Sequence, residues 1–126
     1  MTRSAISTIG APAAIGPYSQ AIVVDGFVFC AGQVAADANG KVLPPDSFAA
    51  QTKMVMENLK LALAEGGASL KDVVKVTIYV CNPHDVPKAR SILEEYFGGD
   101  PPASTLCVLR GLANHFLLEI EAIVAV

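Results

Sequence analysis

Glu119 and Glu121 stand two apart in an otherwise apolar run, Phe116-Leu117-Leu118-Glu119-Ile120-Glu121-Ala122-Ile123. Alternate residues of a strand project to one face, roughly 6–7 Å apart at their Cα atoms, so both carboxylates share the face of Leu117 and Ile123. Two acids on one face require water, a cation or hydrogen-bond donors. They read either as a solvated strand face or as a carboxylate that holds or activates water. Ser104-Thr105 follows Pro101-Pro102, a position where hydroxyls usually satisfy the backbone. A Ser–His–Asp arrangement with His84 or His115 has no sequence signature behind it. Tyr18 follows the Gly16-Pro17 turn and is placed either to line a cleft or to pack. Cys30, Cys81 and Cys107 are odd in number and widely spaced. They form no Cys-x-x-Cys pair and no metal-ligand pattern with the histidines. They are expected to be reduced thiols packed as small apolar groups.

The elements that position these residues are marked by turn signals. Asp25-Gly26 separates Ala21–Val24 from Phe27–Ala31 and predicts a two-residue hairpin. Ala38-Asn39-Gly40 and Pro44-Pro45 mark a loop. Asp46 or Ser47 caps a helix that runs to about Glu65 and stops at Gly66-Gly67. Phe48, Val55, Leu59, Ala62 and Leu63 form its apolar stripe, with Lys53, Glu57 and Lys60 away from it. The alternation over Val73–Val80 predicts a strand with Val74, Val76, Ile78 and Val80 on one face and Lys75, Thr77 and Tyr79 on the other. Pro87 suits the first turn of a second helix, which extends to about Phe97. Strands follow over roughly Ser104–Leu109 and Phe116–Val124. The order is β-β-α-β-α-β-β, with a short strand near Ile6. Two helices on one mixed sheet make an α/β two-layer domain spanning 1–126. Its second sheet face is left for a neighbouring subunit.

Apolar residues make up 52% of the 126-residue chain, a high fraction for a domain with so much surface relative to volume. This favours an obligate oligomer. No stretch is apolar enough to span a bilayer, and Met1-Thr2-Arg3-Ser4 leads into no apolar signal core, so a cytoplasmic protein is expected. The net charge is −3, from nine basic and twelve acidic residues. The bases are scattered, without the footprint that phosphate neutralisation needs, so no nucleic-acid partner is expected.

Taken together, several segments resemble the reactive-intermediate deaminase (Rid, YjgF-like) family, once called the L-PSP endoribonucleases, along nearly the whole chain. Ala11-Pro12-Ala13-Ala14-Ile15-Gly16-Pro17-Tyr18-Ser19-Gln20 is similar to its opening signature. Phe27-Val28-Phe29-Cys30-Ala31-Gly32-Gln33 is similar to its next strand. Gln51, Thr52 and Asn58-Leu59 fit its first helix. Pro102-Ala103-Ser104-Thr105 and Leu118-Glu119-Ile120-Glu121-Ala122 fit its last strands. The resemblance implies a chorismate-mutase-like fold and a homotrimer with ligand pockets between subunits. It also implies a hydrolase that converts enamine and imine intermediates to oxo compounds and ammonia, with no metal or cofactor. Within it, Glu119 matches the glutamate that orients water, Tyr18 a pocket tyrosine, and Gly32 a glycine whose backbone approaches the ligand.

The chain departs from the family pattern around the implied substrate pocket. Ser104 stands where an arginine clamps the substrate carboxylate, a contact that suits the guanidinium fork. Ala31 replaces the serine before Gly-Gln, and Leu106 replaces a cysteine. Arg90 stands in the second helix where relatives often carry an asparagine. Its side chain either reaches the cleft and supplies the positive charge missing at Ser104, or lies on the surface paired with Asp85 or with Glu94 at i+4. The leading expectation is an imine or enamine deaminase, or a relative acting on a different amine-bearing metabolite. The alternatives are a non-catalytic small-metabolite-binding protein and, further behind, an endoribonuclease or translation inhibitor.

Overall fold

A computed structural model describes residues 2–14, 16–44 and 47–126. The elements are β1 (Arg3–Ile6), β2 (Ala21–Val24), β3 (Phe27–Gln33), α1 (Phe48–Glu65), β4 (Val73–Val80), α2 (Val86–Phe97), β5 (Ala103–Val108) and β6 (Leu118–Ala125). They form one six-stranded sheet in the order β1-β2-β3-β6-β4-β5, in which only β4 and β5 pair in parallel. The last strand is thus inserted between β3 and β4. The strand carrying Glu119 and Glu121 lies in the middle of the sheet.

The predicted signals act where they were placed. Asp25 and Gly26 both have positive φ, 48° and 78°, the turn geometry that matches strand twist in a two-residue hairpin joining Val24 to Phe27. The Ser47 side chain accepts from the Ala50 amide at 3.3 Å and caps α1. Pro45 and Asp46, and Ile15 of the opening signature, lie outside the described residues. Pro87 sits in the first turn of α2, where its missing N–H leaves no bond unmade.

Both helices cover one face of the sheet. Val55, Met56, Leu59 and Leu63 of α1 are fully buried against Val28, Ile120 and neighbouring strand residues, and Lys53, Glu57 and Lys60 face solvent. Leu59→Ala is expected to cost about 2–5 kcal/mol. The uncharged polar residues of this helix, Gln51, Thr52 and Asn58, are also buried and bind backbone. Asn58 donates to the Val34 and Ala36 carbonyls at 2.9 and 2.8 Å. Gln51 donates to the Leu43 and Pro44 carbonyls and accepts from the Leu117 amide at 3.0 Å. These bonds tie the loop after β3 and the entry to β6 onto α1.

Two expectations are corrected. Val74 does not join the buried face of β4: it is 45% exposed, while Val73 is buried. The pairing with β6 shifts between Val73 and Lys75, and this bulge reverses the phase of the first residues. The last strand begins at Leu118 rather than Phe116. A turn over Ala113–His115, with Asn114 and His115 at φ 54° and 57°, occupies the residues just before it.

Among the described residues no helix covers the other sheet face. Phe27 and Phe29 are 42% and 45% exposed on it, with ring centroids 6.1 Å apart. Ile22, Val24 and Ile123 are half-buried. Among the described residues no helix is long and apolar enough to cross a membrane.

Candidate functional site

The central strand sends Leu118, Ile120, Ala122 and Val124 into the core and leaves Glu119 and Glu121 half-buried on the open face. Tyr79 and Thr77 of β4 stand opposite them in register. The two carboxylates differ in what they touch. The Tyr79 hydroxyl donates to Glu121 Oε1 at 2.6 Å, and this bond, with burial and the nearby negative charge, pushes the phenol up to about 12. Glu121 is therefore engaged. Glu119 forms no hydrogen bond or ion pair among the described residues. Burial raises its carboxyl above the ordinary range, and the charge of Glu121 adds to the rise.

Glu119 lies on Gly32. A Cβ built at Gly32 would come within 2.6 Å of the Glu119 Cδ and 2.7 Å of its Oε2. Any side chain at 32 would displace the carboxylate. The backbone there is bulged: Cys30 pairs with Ala122 but Gln33 with Ile120, so Ala31 and Gly32 together face one residue of β6. The Gln33 side chain braces the bulge by donating to the Ala31 carbonyl at 3.0 Å and contacting the Cys30 sulfur at 3.7 Å. Bulges of this kind re-aim side chains beside functional sites. The Ala31 amide donates to the Gln20 carbonyl at 2.9 Å, which brings the segment bearing Tyr18 alongside. Tyr18 itself is 53% exposed.

Ser104, Leu106 and Arg90 gather elsewhere. Ser104 and Leu106 pair with Val76 and Ile78 of β4 and share their phase, so they lie on the helix side of the sheet. With Arg90, Leu93 and Phe97 of α2 they line a cavity of about 570 Å³. The predicted residues thus form two groups on opposite faces: Glu119, Gly32 and Ala31, with the Tyr18 segment alongside, and Arg90, Ser104 and Leu106. One chain does not bring them together.

The cysteines are unbridged. Burial pushes the Cys30 thiol up to about 12 despite the Gln33 contact, which leaves it protonated and unreactive. His84 and His115 are exposed, and no cluster of three metal-binding side chains exists among the described residues. Sequence reasoning did not pair Tyr79 with Glu121. The signal was present, because both strands alternate, but the register of strands so distant in sequence is not written locally. It also passed over the bulge, for which a glycine inside a strand pattern was the available sign.

The structure is a two-layer domain with a carboxylate unpaired among the described residues on a bulged, open sheet face and a cavity beside its edge strand, and comparison with known proteins gives its class. Residues 8–126 match the family model described as Endoribonuclease L-PSP, and the chain belongs to this family, the Rid or YjgF-like proteins. It is 44% identical to a RutC family protein of Pyrococcus abyssi over 98% of this chain and 97% of that one. It is 37% identical to the 2-iminobutanoate/2-iminopropanoate deaminase of Mus musculus, covering 96% of this chain and 90% of the mouse protein. The crystal structure of YyfA, a Rid family protein from Yersinia pestis, superposes with a TM-score of 0.94 at 34% identity, over 99% of this chain and 100% of that one.

Proposed function

We propose that this protein is an imine or enamine deaminase that hydrolyses reactive imines to oxo compounds and ammonia. The observation that carries the reading is the contrast between the carboxylates: Glu121 is held by Tyr79, while Glu119 is half-buried, unpaired among the described residues and seated on Gly32. A carboxylate so placed orients a water molecule and takes its proton. The water oxygen bonds to the imine carbon, and the C=N electron pair moves onto nitrogen, which takes up a proton. The resulting carbinolamine loses its C–N bond to give the carbonyl and ammonia, with Glu119 carrying the proton between oxygen and nitrogen. The deaminase name carried by the mouse relative supports the same chemistry.

The functional unit is a homotrimer in the cytoplasm, with each pocket between two copies. Two features support this: the bare apolar face around Phe27 and Phe29, and the division of site residues between opposite faces. The carboxylate face of one copy meets the Arg90–Ser104 cavity of the next. A second reading, a metabolite-binding protein without turnover, is favoured by Ser104 and Ala31, which present one hydroxyl and no polar side-chain atom at positions lining the proposed pocket. RNA cleavage, suggested by the family description, is opposed by the net charge of −3 and the scattered bases. Ammonia release over a panel of imines generated in situ tests the proposal. Catalysed release above the spontaneous rate is expected, and binding of the oxo products without any acceleration identifies the second reading.

A further inference from the structure

Arg90 stands one turn into α2 at the rim of the 570 Å³ cavity. Asp85 pairs with Lys88 instead, at 3.9 Å, and among the described residues Arg90 has neither an ion pair nor a side-chain hydrogen bond. Among the described residues it is the only cation lining the cavity, and Ser104 lines it from β5. Glu94, one turn further along the helix, lines the same rim, so the rim is polarised along α2 with its positive end at Arg90. Behind the rim the lining is apolar: Val76, Ile78, Leu93, Phe97 and Leu106. A pocket of several hundred Å³ with an apolar floor and few polar groups fits a ligand with a substantial apolar body. A three-carbon acid would cover little of this apolar floor.

We infer that Arg90 binds the carboxylate of the ligand, and that the floor behind it selects 2-imino acids, and their 2-oxo products, with large branched or aromatic side chains. The guanidinium offers paired donors in one plane, the geometry a carboxylate accepts. The arrangement deepens the proposed deaminase reading, because it names the substrate class that reading leaves open. Binding can nevertheless be measured without turnover.

Calorimetry on the whole protein with 4-methyl-2-oxopentanoate, phenylpyruvate and pyruvate, and with the amide of 4-methyl-2-oxopentanoate as neutral control, tests the inference. The large acids should bind at least roughly tenfold more tightly than pyruvate, because each buried methylene strengthens binding. Arg90→Ala should weaken the large acids about tenfold to a hundredfold, the range for a charged hydrogen bond, and leave the amide unchanged. Arg90→Lys should retain part of the affinity, and Glu94→Gln should raise it by removing a like charge. Unchanged acid binding in Arg90→Ala, an equal loss for the amide, large acids binding no better than pyruvate, or no acid binding at millimolar concentration each overturns the inference. Tight, Arg90-dependent binding without ammonia release upholds it and sinks the deaminase reading. Ammonia release indifferent to Arg90 does the reverse.

Discussion

At the scale of single residues, the site depends on an absence. Gly32 lacks the Cβ that would lie 2.6 Å from the Glu119 carboxyl carbon. The atoms in the way are the far end of a flexible side chain, so Gly32→Ala should fold and keep a thermal midpoint near that of the parent. It should still lose most of the imine hydrolysis, because the carboxylate swings away; an active Gly32→Ala would show that this seat is unimportant. The charge state of Glu119 gives a second expectation. Hydrolysis needs the carboxylate, so kcat/KM should rise with pH along a limb whose midpoint lies above the ordinary glutamate range. Glu121→Gln removes one cause of the rise and should move that limb to lower pH; a limb that stays put would separate the two acids. Stability should carry the opposite sign. A carboxyl whose pKa is raised by folding favours the folded state at acid pH, and that contribution is lost as pH rises through the folded value. Glu119→Gln should therefore raise the thermal midpoint at neutral pH, and the difference should vanish in acid.

At the scale of elements, the position of β6 is held from a distance. Gln51 on α1 accepts from the Leu117 amide just before the strand and donates to two carbonyls of the loop after β3. Gln51→Ala leaves three backbone groups without these partners and should destabilise the fold by about 1–3 kcal/mol in denaturant unfolding. A neutral result would mean that water replaces the amide. The same elements show what the sequence could express. Ser47, Gly66, Pro87 and the Asp25-Gly26 turn act through neighbouring residues, so the helices and the first hairpin were legible. The residues of α1 that face the core follow from its period. The phase of β4 was misread at Val74, because two adjacent valines, Val73 and Val74, give no sign of which one the bulge turns inward. The Glu119–Gly32 seat and the Tyr79–Glu121 bond depend on β6 being inserted between β3 and β4, a pairing fixed by the whole sheet. The sequence could nominate Glu119 and Gly32, but not the contact between them.

At the scale of the whole molecule, the proposed assembly brings the carboxylate face of one copy against the Arg90 cavity of the next. Light scattering should find a trimer at micromolar concentration, and a stable monomer would remove the shared pocket. Phe29→Asp, which puts a charge on the bare apolar face, should dissociate the assembly and abolish hydrolysis together, whereas a dissociated yet active variant would place the whole site in one chain. The central claim is that Glu119, and not its neighbour, performs the chemistry. It is tested most directly by the initial rate of ammonia release from one imine, generated in situ, with the parent protein, Glu119→Gln and Glu121→Gln side by side. The rate should fall about a hundredfold to ten-thousandfold in Glu119→Gln, the usual contribution of a positioned acid–base group, and stay within about tenfold of the parent in Glu121→Gln, as expected for a group acting only through its neighbour's charge. Full activity in Glu119→Gln, with loss in Glu121→Gln, would contradict it.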